Sequence, residues 1–183
     1  MDIKSLTIYC SSSDNLDLEY YQIANIIGEF LGKKKIKIIY GGGNVGLMGK
    51  IANSAFKNGS EVIGIMPKFL ANRERINYNI TKTIVVNNMI SRKKKLFEKG
   101  DAFLVLPGGS GTIEEITEII SWKILGIHNK EIIFYNHKNY WKTLFKLYDN
   151  CIDNKFGKTN IQNICKNVKT LKELKKIIVN EKN

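Results

Sequence analysis

Short apolar runs alternate with longer segments of mixed polarity along almost the whole chain. Residues 5–10, 36–40, 61–66, 83–86, 102–106 and 131–135 are rich in Ile, Val, Leu, Phe and Tyr and too short for helices, so they read as strands buried on both sides. Pro67 ends the third of them. Between them, apolar residues recur every three or four positions over 17–31, 46–57, about 89–99, 113–125, 140–151 and 170–179, which is the spacing of amphipathic helices. Residues 68–78 are polar and read as a loop. Residues 154–168 read as a loop and one last strand. Regular alternation over 183 residues predicts one α/β domain, 1–183, with a disordered tail at 180–183. Its core is a doubly wound, Rossmann-like parallel sheet with helices on both faces. Such sheets bind ligands outside the carboxyl ends of their strands, and each glycine-rich motif falls at such an end.

One of those ends carries chemistry. Leu106-Pro107-Gly108-Gly109-Ser110-Gly111-Thr112-Ile113-Glu114-Glu115 joins the strand at 102–106 to the helix at 113–125. A glycine-rich turn into a helix leaves backbone N–H groups free where an anion is stabilised. The same turn delivers two carboxylates, a combination that points to a reaction on a phosphorylated substrate. Thr112 and Glu115 have capping-box spacing, Thr112 as N-cap and Glu115 three residues on, which leaves Glu114 for chemistry. In helical projection Ile113, Ile116, Ile120 and Ile124 form the core stripe, and Glu114 falls well off it. Trp122 and Leu125 lie away from that stripe. They form either a contact surface or the underside of a neighbouring loop.

Gly41, Gly43 and Gly46 satisfy the dinucleotide-binding spacing. That site also needs an acid at the end of the next strand, where this chain has Met66-Pro67-Lys68, with Glu61 at the strand's start. The dinucleotide reading thus loses its second half. A purely conformational role for the glycines stands beside it. In the helix near 89–99, Met89, Ile90, Leu96 and Phe97 form the core stripe, with Lys93 inside it and Arg92 at its edge. A lysine on an apolar face is costly unless it snorkels to water or meets an anion.

Composition changes this picture little. The net charge of +12 arises from dispersed lysines without interleaved stacking aromatics, so it implies no nucleic-acid partner, though it would help attract a phosphate. No apolar run has the length of a membrane helix. Met1-Asp2-Ile3-Lys4 leads straight into a strand with no signal-peptide pattern, and the cytoplasm is the expected location. Three scattered cysteines and two histidines offer no disulfide framework and no zinc-ligand spacing.

The motifs together resemble the LOG family, the cytokinin-activating nucleoside 5′-monophosphate phosphoribohydrolases, which release free base and ribose 5-phosphate. Gly41-Gly42-Gly43-Asn44-Val45-Gly46-Leu47-Met48-Gly49 is similar to that family's G-G-G-x-x-G-L-M-G loop. Met89-Ile90-Ser91-Arg92-Lys93 resembles M-H-x-R-K, residues 107–115 resemble P-G-G-x-G-T-x-x-E, and residues 122–128 resemble W-x-x-L-G-I-H. The resemblance implies Glu114 as catalytic acid with Arg92 beside it, and Lys93 in the pocket. It implies Gly108, Gly109, Ser110, Gly111 and Thr112 as a phosphate site, Gly42 and Gly43 as pocket lining, and Glu74 as a further substrate contact. It implies an AMP-like substrate, no metal or other cofactor, and a homodimer, for which the helix at 113–125 is the candidate surface. Two residues depart from the pattern: Ile90 replaces the family's histidine, and Ser11 replaces a glycine in the first turn.

Overall fold

The structure is a computed structural model and describes residues 3–71 and 76–179. Glu74 and the tail at 180–183 lie outside the described residues. The first half runs β1 (Ser5–Tyr9), α1 (Leu18–Lys33), β2 (Lys37–Tyr40), α2 (Gly46–Lys57), β3 (Val62–Pro67), α3 (Lys68–Ala71), β4 (Lys82–Val86) and α4 (Met89–Lys99). The second runs β5 (Ala102–Val105), α5 (Ser110–Ile124), β6 (Glu131–Tyr135), α6 (Lys142–Asp153), α7 (Ile161–Ile164), β7 (Lys166–Val168) and α8 (Leu171–Val179). The seven strands form one sheet in the order β4-β3-β2-β1-β5-β6-β7, every pair parallel. The chain winds outward from β1 to β4, then restarts at β5 on the other side of β1. The winding reverses between β1 and β5, so their carboxyl ends border the crevice where such sheets hold ligands.

Alternating side chains feed two cores. Leu6 and Ile8 point to the layer of α1, α2 and α8, with Ile27, Leu31, Ile51 and Leu174. Tyr9 points to the layer of α4, α5 and α6, with Leu96, Ile116, Ile120 and Trp141. Thr7, on that second face, is fully buried and donates to the Leu96 carbonyl at 2.7 Å, anchoring α4 across β1.

The expected elements are present, with three differences. The polar stretch at 68–78 is not all loop: α3 occupies its start, and Ile76 forms an isolated antiparallel bridge with Gly43. Residues 154–168 hold a helical turn, α7, before the last strand. Helix α5 begins at Ser110, ahead of the expected 113. Among the described residues, no helix is long and apolar enough to cross a membrane.

The start of α2 requires glycine. Gly46 sits at φ +59°, and a Cβ there would lie 2.7 Å from the Ser12 carbonyl carbon and the Ser13 oxygen. Its N–H donates to Asp14 Oδ1 at 3.0 Å. Gly46→Ala therefore combines backbone strain with a clash against backbone, and should destabilise the fold by about 2–3 kcal/mol. Thermal melts should show this as a drop of roughly 5–10 °C, and an unchanged melting temperature would refute the account.

Candidate active site

Three loops meet at the crevice. The Ser11 N–H donates to Pro107 O at 3.1 Å, tying the turn after β1 to the turn after β5. The Ser11 carbonyl accepts from Leu47 N (3.0 Å) and Met48 N (3.3 Å), tying both to the start of α2. The first amides of α2 are thereby taken up by Ser11 and Asp14, leaving no anion cradle where a dinucleotide would place its pyrophosphate. That reading falls on geometry as well as on the missing acid.

The start of α5 is different. Gly109 is its N-cap, and the first helical bond runs from Ile113 N to Gly109 O at 3.0 Å. The amides of Ser110, Gly111 and Thr112 have no carbonyl one turn back to bond. A side chain at Gly109 or Gly111 would meet nothing within 4 Å, so the space before these amides is open. They border a cleft of about 350 Å³ whose other walls include Ser12, Met48, Met89 and Arg92.

The early start of α5 overturns the capping box. Past the tight Pro107–Gly109 turn nothing keeps Ser110 and Gly111 out of helical geometry, so Thr112 lies inside the first turn, buried against Gly108. The core stripe shifts with it: Thr112, Ile116, Ile119 and Ile120 are buried, whereas Ile113 and Ile124 are exposed. Glu115 lies at the rim of this buried stripe, and its side chain is only 12% exposed.

Opposite it stands Arg92, 11% exposed. Its place on α4 also differs from the expected stripe. Arg92 and Leu96 are the buried members, Met89 and Phe97 are half-buried, and Ile90 is 77% exposed. The guanidinium lies over Gly41 at the end of β2, where any Cβ would collide with its Nη2 atom. Arg92 Nη1 and Glu115 Oε1 are 3.8 Å apart, within ion-pair range but too far for a hydrogen bond. Arg92 Nε and Glu115 Oε1 are both buried without a hydrogen-bond partner. Burial pushes the Glu115 carboxyl up to about 7, against the opposing pull of Arg92. Two buried, incompletely satisfied ionic groups facing each other across a cleft are costly for stability alone and suit a ligand with hydroxyls.

Glu114 also borders the cleft, but at its half-exposed mouth. Lys93 Nζ donates to Glu114 Oε1 at 2.6 Å and to Glu118 Oε1 at 3.2 Å. Lys93 on an apolar face thus meets anions of its own chain, and the hydrogen bond it donates to Glu114 holds its ammonium above the ordinary lysine range. Glu118 was not foreseen, although its place one turn after Glu114 is a readable signal. Gly42 and Gly43 face elsewhere: Gly42 O accepts from Asn77 N at 3.0 Å, and Gly43 bridges Ile76. From that loop Met48 reaches the cleft lining. Trp122 is half-buried edge-on to Phe97, at 4.9 Å between ring centres, and Leu125 beside it is exposed.

A family model described as "Possible lysine decarboxylase" matches residues 48–178. The cytokinin riboside 5′-monophosphate phosphoribohydrolase of Rhodococcoides fascians is 39% identical over 142 residues, covering 77% of this chain and 72% of that protein. Cytokinin riboside 5′-monophosphate phosphoribohydrolase LOG1 of Arabidopsis thaliana is 35% identical over 173 residues, covering 94% of this chain and 81% of its own. The chain belongs to the LOG family. Among solved structures, the molybdenum cofactor binding protein of Rippkaea orientalis aligns with TM-score 0.69 at 20% identity, over 97% of this chain and 99% of that one. The Moco carrier protein of Chlamydomonas reinhardtii aligns with TM-score 0.71 at 14% identity, over 96% and 98%. These two likenesses concern the fold alone. Counted residue by residue from Pro107, the final glutamate of the LOG motif P-G-G-x-G-T-x-x-E falls on Glu115, the buried carboxylate, and Glu114 is the variable position before it.

Proposed function

We propose that this protein is a hydrolase that cleaves the N-glycosidic bond of an AMP-type nucleoside 5′-monophosphate, releasing the free base and ribose 5-phosphate. The observation that carries this reading is the buried, unsatisfied Arg92–Glu115 pair beside the open amides of α5. The amides of Ser110, Gly111 and Thr112 take the 5′-phosphate, as helix starts do. Anchoring there presents C1′ to the pair, which is catalysis by positioning. As the C1′–N bond breaks, its electron pair leaves with the base and positive charge builds on C1′ and the ring oxygen. The Glu115 carboxylate stabilises that charge and takes a proton from the water that adds to C1′; that proton passes on to the departing base, which restores the carboxylate. Arg92 orients the ribose, and Lys93 holds Glu114 at the mouth of the cleft.

The decarboxylase label fits this site less well. A lysine that forms an imine needs a depressed pKa and a free amine. Lys93 is bound by two carboxylates and shifted the other way.

Incubating the protein with AMP and N6-isopentenyl-AMP and separating the products by chromatography tests the reading. Free base and ribose 5-phosphate are expected, and the ratio of rates ranks the two bases. A nucleotide that binds and is recovered intact would replace the hydrolase with a carrier.

The proposal includes a homodimer. Ile113, Ile124 and Leu125 of the α5 region and Ile127 after it leave apolar surface exposed, as subunit interfaces do. Leu125→Asp is expected to convert a dimer to a monomer in sedimentation velocity. A wild-type monomer, or an unaltered dimer in the variant, would remove this face from the assembly.

A further inference from the structure

Tyr140 meets the α5 turn in a pocket that adjoins the cleft and that Arg92 and Glu115 do not line. Its hydroxyl donates to Gly108 O at 2.7 Å. Tyr140 as a residue is 43% exposed, so burial alone does not hold it there. The preceding turn is held under strain. Lys138 and Asn139 lie in the left-handed region at φ 51° and 59°, and neither is glycine. Several contacts keep them so. Asn136 is buried, and its side-chain oxygen accepts from Trp141 N at 2.8 Å. Its own N–H donates to Val168 O at 2.7 Å. Glu19 at the start of α1 pairs with both His137 and Lys138. Strain maintained by its surroundings at the edge of a cleft is a sign of function.

The object of that contact is the Gly108–Gly109 peptide. Glycine on both sides lets this unit rotate at little steric cost. It is a trans peptide, planar, so its C=O and N–H point in opposite directions. Fixing Gly108 O on Tyr140 turns the Gly109 N–H the other way, and Gly109, unlike Gly108, borders the catalytic cleft.

We propose that Tyr140 is a positioning residue for anion binding: its hydroxyl holds the Gly108–Gly109 peptide in the orientation that offers the Gly109 N–H to the substrate's phosphate. This rests on the reading of the α5 turn as the phosphate site. The pocket between Tyr140, Tyr20 and Leu16, about 230 Å³, shares Ser11 and Gly109 with the catalytic cleft, so the tyrosine stands next to the proposed phosphate site.

Calorimetric titration of ribose 5-phosphate into wild type and Tyr140→Phe tests it. The variant should bind about five- to tenfold more weakly, the effect of one lost oriented donor, with a melting temperature unchanged within roughly 2 °C. Equal affinity would overturn the proposal. A wild type that binds neither ribose 5-phosphate nor inorganic phosphate would overturn the phosphate site and Tyr140's role with it. A wild type that binds both without cleaving AMP would overturn only the hydrolase reading. Should Tyr140→Phe prove less stable, ¹⁵N spectra of the variant at a temperature well below its melting point, under phosphate titration, give a second readout. A Gly109 amide that shifts as in wild type overturns the proposal; one that no longer responds supports it.

Discussion

Glu115→Gln is expected to abolish base release, by at least about a thousandfold in kcat, while nucleotide affinity stays within a few-fold. The amide preserves size and contacts but cannot carry the charge that opposes the developing cation, nor take a proton from water. Glu114→Gln should keep most of the activity, because Glu114 sits at the half-exposed mouth and pairs with Lys93. Full turnover in the Glu115 variant, or its loss in the Glu114 variant alone, would reverse the assignment. The same carboxyl sets the pH dependence. Only the ionised form serves, so kcat/KM should rise with pH through about 7, to which burial lifts Glu115. Stability runs the opposite way. A carboxyl whose value is raised by folding is favoured when protonated, so the wild type loses stability as pH climbs from the ordinary carboxylate range to about 7, and levels off above it. The Gln variant lacks that loss. Its advantage in thermal melts should grow over this window to roughly 3 kcal/mol. An advantage that shrinks as pH rises would mean that Glu115 is a stabilised anion.

Arg92→Lys should cost about a hundredfold or more in kcat/KM despite keeping the charge. The guanidinium sets its Nη2 atom over Gly41 while its Nη1 atom faces both Glu115 Oε1 and Met89 Sδ. A shorter ammonium cannot span the same positions. Because the shorter ammonium would lie farther from Glu115, its pull on the carboxyl should weaken and the acid limb of the pH profile should move upward, burial then acting with less opposition. A lysine variant with wild-type rate and an unshifted limb would show that charge alone suffices.

The alternation of strands and helices was legible because buried parallel strands are continuously apolar while helices carry a polar face. Helices α2 and α4 have the limits their periodicity implied. Other features depended on what no local pattern carries. Gly109 and Gly111 lower helix propensity, which hid the true start of α5 and rotated its expected core face. Thr112 and Glu115, three apart, suit a capping box and a shared buried face equally well. Arg92 read as an edge residue because a buried arginine is justified only by distant partners, here Gly41 and Glu115. Tyr140 belongs to no motif and is brought to the turn by β6 and the strained segment behind it.

The bare backbone beneath Arg92 links two positions far apart in sequence. A side chain at 41 and a guanidinium at 92 cannot occupy the same space. A descendant that gives up the arginine gains room for a side chain at 41, and one that gains a side chain there must move the guanidinium from its place over the end of β2. The two sites should therefore drift together, because the guanidinium keeps its place opposite Glu115 only while the backbone at 41 stays bare.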